Sequence, residues 1–282
     1  MYMKTPDRQK ITSRKNELIK FAAAVGASAE KRAEAKLFLI EGARLCEDAA
    51  KSGIEIVQTF FTLNSEKRYA KYLETIIQNS LEVYEIEEHV AKVLSNTKNS
   101  QDVFCVCKIK GGSKFSQKEL SEKSLGSLNG RIVALENLQN PSNLGTVLRT
   151  AEALGIEAVI LAGKCCDIYS PKVLRASMGA VFRVSHYMFE TVEEAVNELK
   201  KSGYISYAAV AVPTDADGGN VQKLGEFNFS EESVIFIGNE GSGLSEEAVS
   251  SCDYSITIPM RGRAESLNAA AAASILLWEM SK

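Results

Sequence analysis

The feature that most constrains the fold is an alternation of strand-like and helix-like segments that begins at Arg131 and continues to the end of the chain. Short apolar runs bounded by turn residues are typical of buried strands, and longer segments with a 3.6-residue apolar period are typical of helices. The predicted strands are Ile132–Leu135, Ala158–Leu161, Val181–Val184, Tyr204–Ala211, Val234–Ile237 and Tyr254–Ile258. The predicted helices are Leu144–Leu154, Pro171–Met178, Val192–Lys200, Ser245–Ser250 and Leu267–Met280. This alternation predicts an α/β fold, in which a mainly parallel sheet is covered by helices on both faces.

Residues 7–110 predict a second, smaller α/β domain. Its first segment, Asp7–Val25, carries lysines on one side and apolar residues on another, which indicates an amphipathic helix. The later strands are predicted at Leu37–Ile40, Ile54–Thr62, Leu81–Ile86 and Val103–Ile109, and the later helices at Gly42–Ser52, Asn64–Gln78 and Glu87–Leu94. Residues 111–130 are rich in glycine, serine and charge and lack an apolar period, which predicts a linker. The expected organisation is a small domain at 1–110, the linker at 111–130 and a larger domain at 131–282.

The charge distribution leaves nucleic-acid binding open. The whole chain has a net charge of −3, so no molecule-wide positive field is expected. Between Lys4 and Lys36, however, nine lysines and arginines stand against four acidic residues. A local surplus of this kind fits an RNA-binding surface, although from charge alone a solvated helix face is the simpler interpretation.

Cysteine and histidine usage argues against a metal site. The six cysteines form no C-x-x-C pair, and the two histidines, His89 and His186, lie far apart in the chain. A zinc enzyme or a histidine-based hydrolase is therefore not expected. No apolar signal segment begins at Met1, and the apolar run Ala269–Trp278 is too short to span a bilayer. We therefore expect a protein of the reducing cytoplasm, with no metal and no membrane contact.

The first of three polar clusters is residues 140–152, NPSNLGTVLRTAE. It places Asn143 and Arg149 shortly after a predicted strand, at the edge of an open sheet where ligands bind. Taken alone, the cluster is better explained as the start of a helix that is capped by Ser142 or Asn143, with Arg149 on the surface.

The second cluster is residues 235–244, IFIGNEGSGL. Gly238, Gly241 and Gly243 permit a close approach between the backbone and a ligand. Their G-x-x-G-x-G spacing and their late position differ from the dinucleotide fingerprint, and the lysine of a phosphate-binding Walker loop is missing. Taken alone, this cluster indicates a tight backbone turn.

The third cluster is residues 256–269, ITIPMRGRAESLNA. A predicted strand ends, a loop with Arg261 and Arg263 follows, and a helix is expected to begin at a cap formed by Ser266. The run Ala269–Ala273 would suit a helix that packs closely against other backbone, although high helix propensity explains it equally simply.

The order and spacing of the three clusters are jointly specific. The segments NPSNLGTVLRTAEALG, VIFIGNEGSGL and ITIPMRGRAESLNAAAAA resemble the three motifs of the SpoU family of RNA 2′-O-ribose methyltransferases, in the SPOUT superfamily. SPKVLRASMGAVF is similar to the family's intervening segment, and ITSRKNELIK and FLIEGARL resemble the substrate-binding domain of members that modify ribosomal RNA. That domain is similar to small ribosomal RNA-binding proteins. Two departures are Asn140, where the family often has Asp, and Asn99–Asp102, where a Pro-Gln-Gly-like turn is common.

The resemblance implies a fold, a cofactor and a partner. The C-terminal domain is expected to form a deep trefoil knot, an exception to the rule that chains avoid threading. A homodimer is expected to complete the site across its interface, with the last helix taking part. S-adenosyl-L-methionine is the expected methyl donor, and the residues expected to bind it are Gly238, Asn239, Ile258, Met260 and Leu267. Glycine lets a backbone N–H approach the donor, and Ile258 and Leu267 offer an apolar slot for adenine.

The resemblance also implies that Asn143, Arg149, Glu240, Ser266 and Asn268 are catalytic residues. Methyl transfer from a sulfonium has a good leaving group, so it needs in-line placement and help for a poorly acidic hydroxyl rather than a metal. Because a guanidinium stays protonated, Arg149 is expected to bind a phosphate and stabilise the emerging alkoxide rather than to act as a base. Asn143 is expected to position the ribose, Glu240 to organise its loop, and Ser266 and Asn268 to order the knot and help place the substrate.

The residues expected to contact RNA are Arg14, Lys15, Asn16, Arg44, Arg261 and Arg263. The N-terminal resemblance favours 23S ribosomal RNA, either for housekeeping modification or for protection against a ribosome-targeting antibiotic. Two alternatives are a transfer RNA substrate and an RNA-binding protein that kept the fold and lost catalysis. The joint presence of all the catalytic candidates argues against the second alternative. A conventional Rossmann methyltransferase is not expected, because no glycine-rich turn follows an early strand.

Overall fold

The computed structural model describes residues 8–109, 128–211 and 221–282, which form two compact units. The first unit contains residues 8–109 together with Tyr169–Phe182, and the second contains the other described residues from 128 onwards. Most of the predicted linker at 111–130 lies outside the described residues. The domain boundaries at 110 and 131 therefore stay a proposal.

A five-stranded mixed sheet organises the first unit. Its strands are β1 Arg8–Ile11, β2 Leu37–Glu41, β3 Ile56–Phe61, β4 Ser80–Ile86 and β5 Val103–Lys108, in the order β1-β4-β3-β5-β2. Its helices are α1 Glu17–Ala27, α2 Ala29–Ala35, α3 Ala43–Lys51, α4 Leu63–Gln78 and α5 Glu88–Leu94. β1 and β3 run parallel to β4, whereas β5 runs antiparallel to both β2 and β3. Consequently β1, β2, β3 and β4 all end at one edge, the carboxyl edge of the first sheet.

The predicted helix at Asp7–Val25 is wrong in its first half. Arg8–Ile11 is instead β1, which pairs in parallel with β4 from Arg8 opposite Val83 onwards. Helix α1 begins only after Asn16, whose side-chain oxygen accepts a hydrogen bond from the N–H of Leu18 at 2.9 Å. The strand forms through backbone pairing with a segment far along the chain, and a local apolar period cannot reveal such pairing.

A seven-stranded sheet, parallel throughout, organises the second unit and confirms the predicted α/β class. Its strands are β6 Ile132–Glu136, β7 Ala158–Ala162, β8 Ser185–Phe189, β9 Ile205–Ala209, β10 Val221–Lys223, β11 Ser233–Ile237 and β12 Tyr254–Thr257, in the order β10-β12-β9-β11-β6-β7-β8. The remaining helices are α6 Pro141–Ala153, α7 Pro171–Ser177, α8 Val192–Lys201, α9 Glu246–Ser251 and α10 Ala269–Met280, of which α7 belongs to the first unit. Strands β6, β7 and β11 are buried along their whole length, which is why they read as continuous apolar runs.

The predicted strand at Val181–Val184 is wrong. Ala180–Phe182 is a 3-10 turn, and β8 begins at Ser185. The apolar side chains around this turn pack within the first unit, where the ring of Phe38 lies 4.7 Å from that of Tyr169 and 6.2 Å from that of Phe182, measured between centroids. A short apolar run reports burial and does not distinguish a strand from another buried segment.

The strand order of the second sheet reverses at β6. From β6 the chain proceeds outwards to β7 and β8 on one side, whereas β11, β9, β12 and β10 lie on the other side. Open parallel sheets bind ligands at such a switch point, outside the carboxyl ends of the strands. The three polar clusters follow β6, β11 and β12, so the topology brings them to one edge.

The knotted path that the family resemblance implies stays a prediction, because residues 212–220, between β9 and β10, lie outside the described residues. Within the described ranges, no helix has both the length and the apolar character needed to cross a membrane.

Candidate functional site

Helix α6 holds the first cluster at the carboxyl end of β6. Asn140 is its N-cap, because its side-chain oxygen accepts a hydrogen bond from the Ser142 N–H at 2.9 Å, and Pro141 occupies the first helical position. The cap is therefore neither Ser142 nor Asn143. Asn143 is 6% exposed, and its amide serves contacts outside its own helix.

The second cluster forms a tight loop after β11. The backbones of Asn239 and Gly243 exchange two hydrogen bonds of 3.0 Å, which close the loop. The side-chain oxygen of Asn239 accepts from the Gly241 N–H at 2.7 Å, and its Nδ2 donates to the Asn137 carbonyl at 2.9 Å. A Cβ on Gly238 would lie 2.0 Å from the carbonyl carbon of Gly243. The closed loop therefore requires glycine at position 238.

A chain of side-chain hydrogen bonds joins all three clusters. Asn143 Nδ2 donates to Glu240 Oε1 at 2.8 Å, and the same oxygen accepts from the Asn140 N–H at 3.3 Å. On its other side, Asn143 Oδ1 accepts from Asn268 Nδ2 at 3.2 Å. The Oδ1 of Asn268 caps α10 by accepting from the Ala270 N–H at 3.0 Å, so Ser266 is not the cap that the sequence predicts. Three of the predicted catalytic residues, Asn143, Glu240 and Asn268, therefore lie in contact.

Glu136 is a polar residue of this edge that the sequence analysis did not single out. It ends β6 and is 8% exposed, and its two carboxylate oxygens accept from the backbone N–H and the hydroxyl of Ser245, each at 2.8 Å. Ser245 in turn caps α9. The carboxylate thus ties the end of β6 to the far end of the glycine loop. The available signal was an acidic residue that directly ends an otherwise apolar strand.

Arg149 does not join this network. It is exposed, and no hydrogen bond or ion pair within the described residues connects it to Asn143, Glu240 or Asn268. Six residues at 100° each place Arg149 about 120° around α6 from Asn143 and about 9 Å along its axis. Its side chain faces a shallow depression instead, which is lined by Thr146, Thr150, Ala153, Leu154, Ser274 and Trp278.

The third cluster lies in the segment between β12 and α10, most of which is at the surface. Met260 is 37% exposed and Leu267 is 36% exposed, so each leaves part of an apolar side chain open to a ligand. The other predicted site residues of this segment are Ile258, which is partly buried, and Arg261, Arg263 and Ser266, which are exposed. The segment therefore presents both apolar and positively charged side chains to solvent.

Two adjacent thiols lie at the same edge and are poor nucleophiles. The Cys166 N–H donates to the Leu138 carbonyl at 2.8 Å, and Cys165 Sγ donates to the Leu135 carbonyl at 3.3 Å. Burial raises the pKa of the Cys165 thiol to about 11 and that of the Cys166 thiol to about 12. Both thiols are therefore neutral near pH 7 and supply no thiolate. No group of three or more histidine, cysteine or acidic side chains in the described part of the chain could hold a metal ion.

The predicted RNA-contacting residues of the first unit follow strands that end at its carboxyl edge. Arg14 and Lys15 are exposed in the turn after β1, and Arg44 is exposed in the first turn of α3, after β2. Arg14 Nε also donates to the His89 carbonyl at 2.8 Å. Asn16 uses its side-chain oxygen to cap α1, so this residue has a structural role that does not require RNA. The topology places these residues along one edge, and RNA contact stays a prediction for each.

Comparisons with known proteins match both parts of the chain to family models. Residues 130–278 match the model described as the SpoU rRNA methylase family. Residues 16–105 match the model described as an MRM3-like substrate binding domain. The first match alone covers more than half of the chain.

Full-length relatives agree with these matches. The chain is 30% identical to the 23S rRNA (guanosine(2553)-2′-O)-methyltransferase RlmP of Bacillus subtilis, over 96% of this chain and 99% of that protein. It is 27% identical to the 23S rRNA (uridine(2479)-2′-O)-methyltransferase of Streptomyces viridochromogenes, over 98% of this chain and 93% of that protein. A crystal structure of an AdoMet-bound rRNA methyltransferase from Sinorhizobium meliloti matches with a TM-score of 0.80 at 26% identity and covers 97% of both chains.

Proposed function

This chain belongs to the SpoU rRNA methylase family and is an RNA 2′-O-ribose methyltransferase, and we propose that its substrate is 23S ribosomal RNA. The methyl donor is S-adenosyl-L-methionine, the ligand named for the Sinorhizobium structure. One structural observation supports methyl transfer at this edge, namely the hydrogen-bonded chain Asn268–Asn143–Glu240, which joins the three clusters at a single point of the sheet edge.

The residues present fit a donor site on the loops after β11 and β12. Met260 and Leu267 leave apolar surface at an otherwise polar edge, and a flat heterocycle would cover such surface. The loop from Gly238 to Gly243 is closed by its own backbone and presents little side-chain bulk. We assign donor binding to Gly238, Asn239, Ile258, Met260 and Leu267. When bound, the donor supplies a methyl group on a positively charged sulfur, which is a good leaving group.

The side-chain network would hold the acceptor. Because Asn143 donates to Glu240 and accepts from Asn268, its amide orientation is determined on both sides. This fixed amide would position the ribose, and Glu240 would keep the glycine loop against the start of α6. Asn268, together with Ser266, would place the substrate at the end of the third cluster. Positioning of this kind is the main requirement when the leaving group is already good.

Arg149 lies on the outward side of α6, so we propose that it serves the site of a second copy in a homodimer. The neighbouring helix α10 supports this, because Ala271, Ile275 and Trp278 are exposed along one side at helical spacing, with Ile275 41% and Trp278 59% exposed. An apolar stripe of this kind marks a protein interaction surface. An interface formed by α6 and α10 would carry Arg149 away from its own network and towards the partner.

At the partner's site, the guanidinium of Arg149 would bind the phosphate next to the acceptor ribose and stabilise the developing alkoxide. A guanidinium keeps its proton in proteins, so it donates hydrogen bonds and does not act as the base. Donors aimed at a position where negative charge develops are among the strongest contributors to catalysis.

The proposal of 23S ribosomal RNA rests on the relatives and on the first unit. Both named relatives act on 23S rRNA, at a guanosine in one and a uridine in the other. Because the two relatives modify different nucleotides, the nucleotide that this chain modifies has to be mapped by experiment. A cytoplasmic location follows from this substrate.

The test is methyl transfer from labelled S-adenosyl-L-methionine to ribosomal RNA and transfer RNA, offered separately and mapped by resistance of the ribose-methylated position to alkaline cleavage. We expect label at one nucleotide of 23S rRNA, and we expect that methylation to be missing in cells that lack the gene. Label in transfer RNA alone would show that the substrate is transfer RNA. Donor binding without methyl transfer to any RNA would show that the chain is an RNA-binding protein that has lost catalysis.

A further inference from the structure

We propose that helix α4 carries an additional RNA-binding surface, which takes unpaired nucleotides of the substrate. The surface, called here the α4 surface, consists of Lys67, Arg68, Tyr69, Lys71 and Tyr72. The inference rests on the proposed function in one respect, since it takes RNA as the substrate. It assigns RNA contact to residues outside the three clusters and outside the family motifs.

The α4 surface alternates aromatic rings with cations. The ring centroids of Tyr69 and Tyr72 lie 6.5 Å apart at an interplanar angle of 58°. The guanidinium carbon of Arg68 lies 5.4 Å from the centroid of the Tyr69 ring. Both tyrosines are only partly buried, and the three cations are exposed. Part of each tyrosine ring therefore stays accessible to a ligand.

Positive charge on the α4 surface is not neutralised within the part of the chain that the structure describes. No ion pair there joins Lys67, Arg68 or Lys71 to a carboxylate. The nearest acidic residue in sequence, Glu66, is engaged at 2.7 Å by Arg8. The exposed Glu74 follows Lys71 by three residues and forms no ion pair with it. A polyanion would therefore meet three cations that no carboxylate of the described residues engages.

The backbone is irregular at the centre of the α4 surface. Tyr69 has φ −119° and ψ 26°, which are not helical values, so α4 is kinked there. The helix sequence LNSEKRYAKYLETIIQ contains neither proline nor glycine, the usual causes of a kink. The irregularity thus coincides with the residue whose ring the Arg68 guanidinium covers.

Topology places the α4 surface beside the other predicted RNA contacts. Helix α4 begins directly after β3, Arg14 and Lys15 follow β1, and Arg44 follows β2. These three strands end at the carboxyl edge of the first sheet. The first half of α4 therefore extends the same edge, within residues 16–105 that match the substrate binding domain.

The chemistry favours single-stranded RNA over an RNA duplex or an acidic protein. Unpaired bases expose flat faces that stack on aromatic rings, whereas a duplex hides those faces. Phosphates of the same strand pair with lysine and arginine. An acidic protein would use the cations but would not need the rings.

The experiment measures binding of a labelled oligouridylate to the full chain by fluorescence anisotropy over a range of salt. Lys67→Ala/Lys71→Ala is compared with Lys51→Ala/Lys108→Ala, which removes the same formal charge from two lysines that pair with Glu47 and Glu55. Lys51 ends α3 before β3, and Lys108 ends the antiparallel strand β5, so both lie at the opposite edge of the sheet. We expect the α4 variant to bind about tenfold more weakly and to lower the salt slope by about 1.4, since each phosphate contact to a single strand contributes about 0.7.

The rings are tested by Tyr69→Leu against Tyr69→Phe. Leucine removes the stacking face, and we expect about tenfold weaker binding, whereas phenylalanine keeps the face and should bind within about twofold of wild type. Thermal unfolding of each variant checks the fold, and the exposed lysine pair provides the test even if Tyr69→Leu unfolds. Equal binding by the α4 and control lysine variants would overturn the inference. So would equal weakening by leucine and phenylalanine, or binding of polyglutamate as tight as that of oligouridylate.

Methylation separates this inference from the proposed function. If wild-type protein methylates ribosomal RNA and the α4 variants keep its KM for RNA, the inference fails while the proposed function stands. If wild-type protein methylates no RNA, the proposed function fails. We expect the α4 variants to raise KM for ribosomal RNA with little change in kcat, because the surface lies outside the catalytic network.

Discussion

The side chain of Asn143 is 6% exposed, and at the scale of single residues this burial determines its behaviour. A buried amide needs hydrogen-bond partners, and losing one costs about 1–3 kcal/mol. Asn143 finds Glu240 and Asn268, each on a different loop. One buried amide thus connects segments that are distant in sequence, once the sheet has brought them together.

Arg149 offers the sharpest residue-scale test. We expect Arg149→Lys to lose at least about a hundredfold in single-turnover methylation despite keeping the charge, because lysine lacks the planar fork that grips a phosphate. Donor affinity measured by calorimetry should be unchanged, since Arg149 lies outside the donor loops. Arg149→Ala should be at least as impaired. Near-normal turnover by the lysine variant would refute the proposed role.

Gly238 tests the donor loop. A Cβ there would lie 2.0 Å from the Gly243 carbonyl carbon and 2.1 Å from the Leu244 nitrogen, so Gly238→Ala must displace backbone. We expect its donor affinity, measured by calorimetry, to fall by at least about tenfold, in line with the cost of overpacking. The control is Gly262→Ala in the other proposed donor loop, where an added Cβ meets nothing within 4 Å, so wild-type donor affinity is expected. Equal donor affinity in the two variants would contradict the assigned role of the loop.

At the scale of secondary structure, asparagine caps place two helices of the site. Asn140 caps α6 at the start of the first cluster, and Asn268 caps α10 near the end of the third. The helix starts lie next to each other, because Asn268 donates to Asn143 in the first turn of α6, and the Thr150 and Ser274 hydroxyls meet at 3.3 Å further along the same two helices. Capping determines where these helices begin, and that in turn places Asn143 and Arg149.

The cap of α6 can be tested by stability. We expect Asn140→Ala to lower the free energy of unfolding by about 1 kcal/mol, because the Ser142 N–H loses its acceptor. Asn140→Ser should stay within about 0.5 kcal/mol of wild type, since serine caps nearly as well. Urea unfolding followed by circular dichroism measures both. A serine variant as unstable as the alanine variant would show that capping is not the contribution of Asn140.

At the scale of the whole molecule, the proposed dimer explains why Arg149 lies apart from its own network. Helix α10 is apolar on nearly all sides, and its outward stripe of Ala271, Ile275 and Trp278 is uncovered in the single chain. Burying such a stripe against a second copy would stabilise the pair and bring Arg149 to the partner's donor loops.

Mixed dimers test action across the interface. Arg149→Ala retains a donor site and Gly238→Ala retains Arg149, so with the donor below its wild-type Kd each variant alone is expected to keep at most about a tenth of wild-type methylation. If Arg149 acts in the partner's site, mixing with subunit exchange should restore about a quarter of wild-type methylation, since half of the dimers would hold one complete site. No recovery, with exchange shown by differently tagged subunits, would place Arg149 in its own site.

Trp278→Glu should give monomers in sedimentation experiments, because it places a charge in the proposed apolar interface.

The sequence by itself determined the α/β class, the parallel sheet and the identity of the three clusters. These features depend on short-range patterns, namely apolar runs, turn residues and ordered motifs, that are complete within each segment. The same locality explains the errors at Arg8–Ile11 and Val181–Val184, where a distant strand or a packing surface decided the outcome.

Only the tertiary structure decided which side chains meet. Glu240 lies 97 residues from Asn143 and Asn268 lies 125 residues from it, and their contacts depend on β11 pairing beside β6. The structure also turned Arg149 away from this network, assigned the helix caps to Asn140 and Asn268, and revealed Glu136 as the tie between β6 and α9. Long-range strand pairing and burial set these relations, because a hydrogen bond between distant residues exists only once the sheet between them has formed.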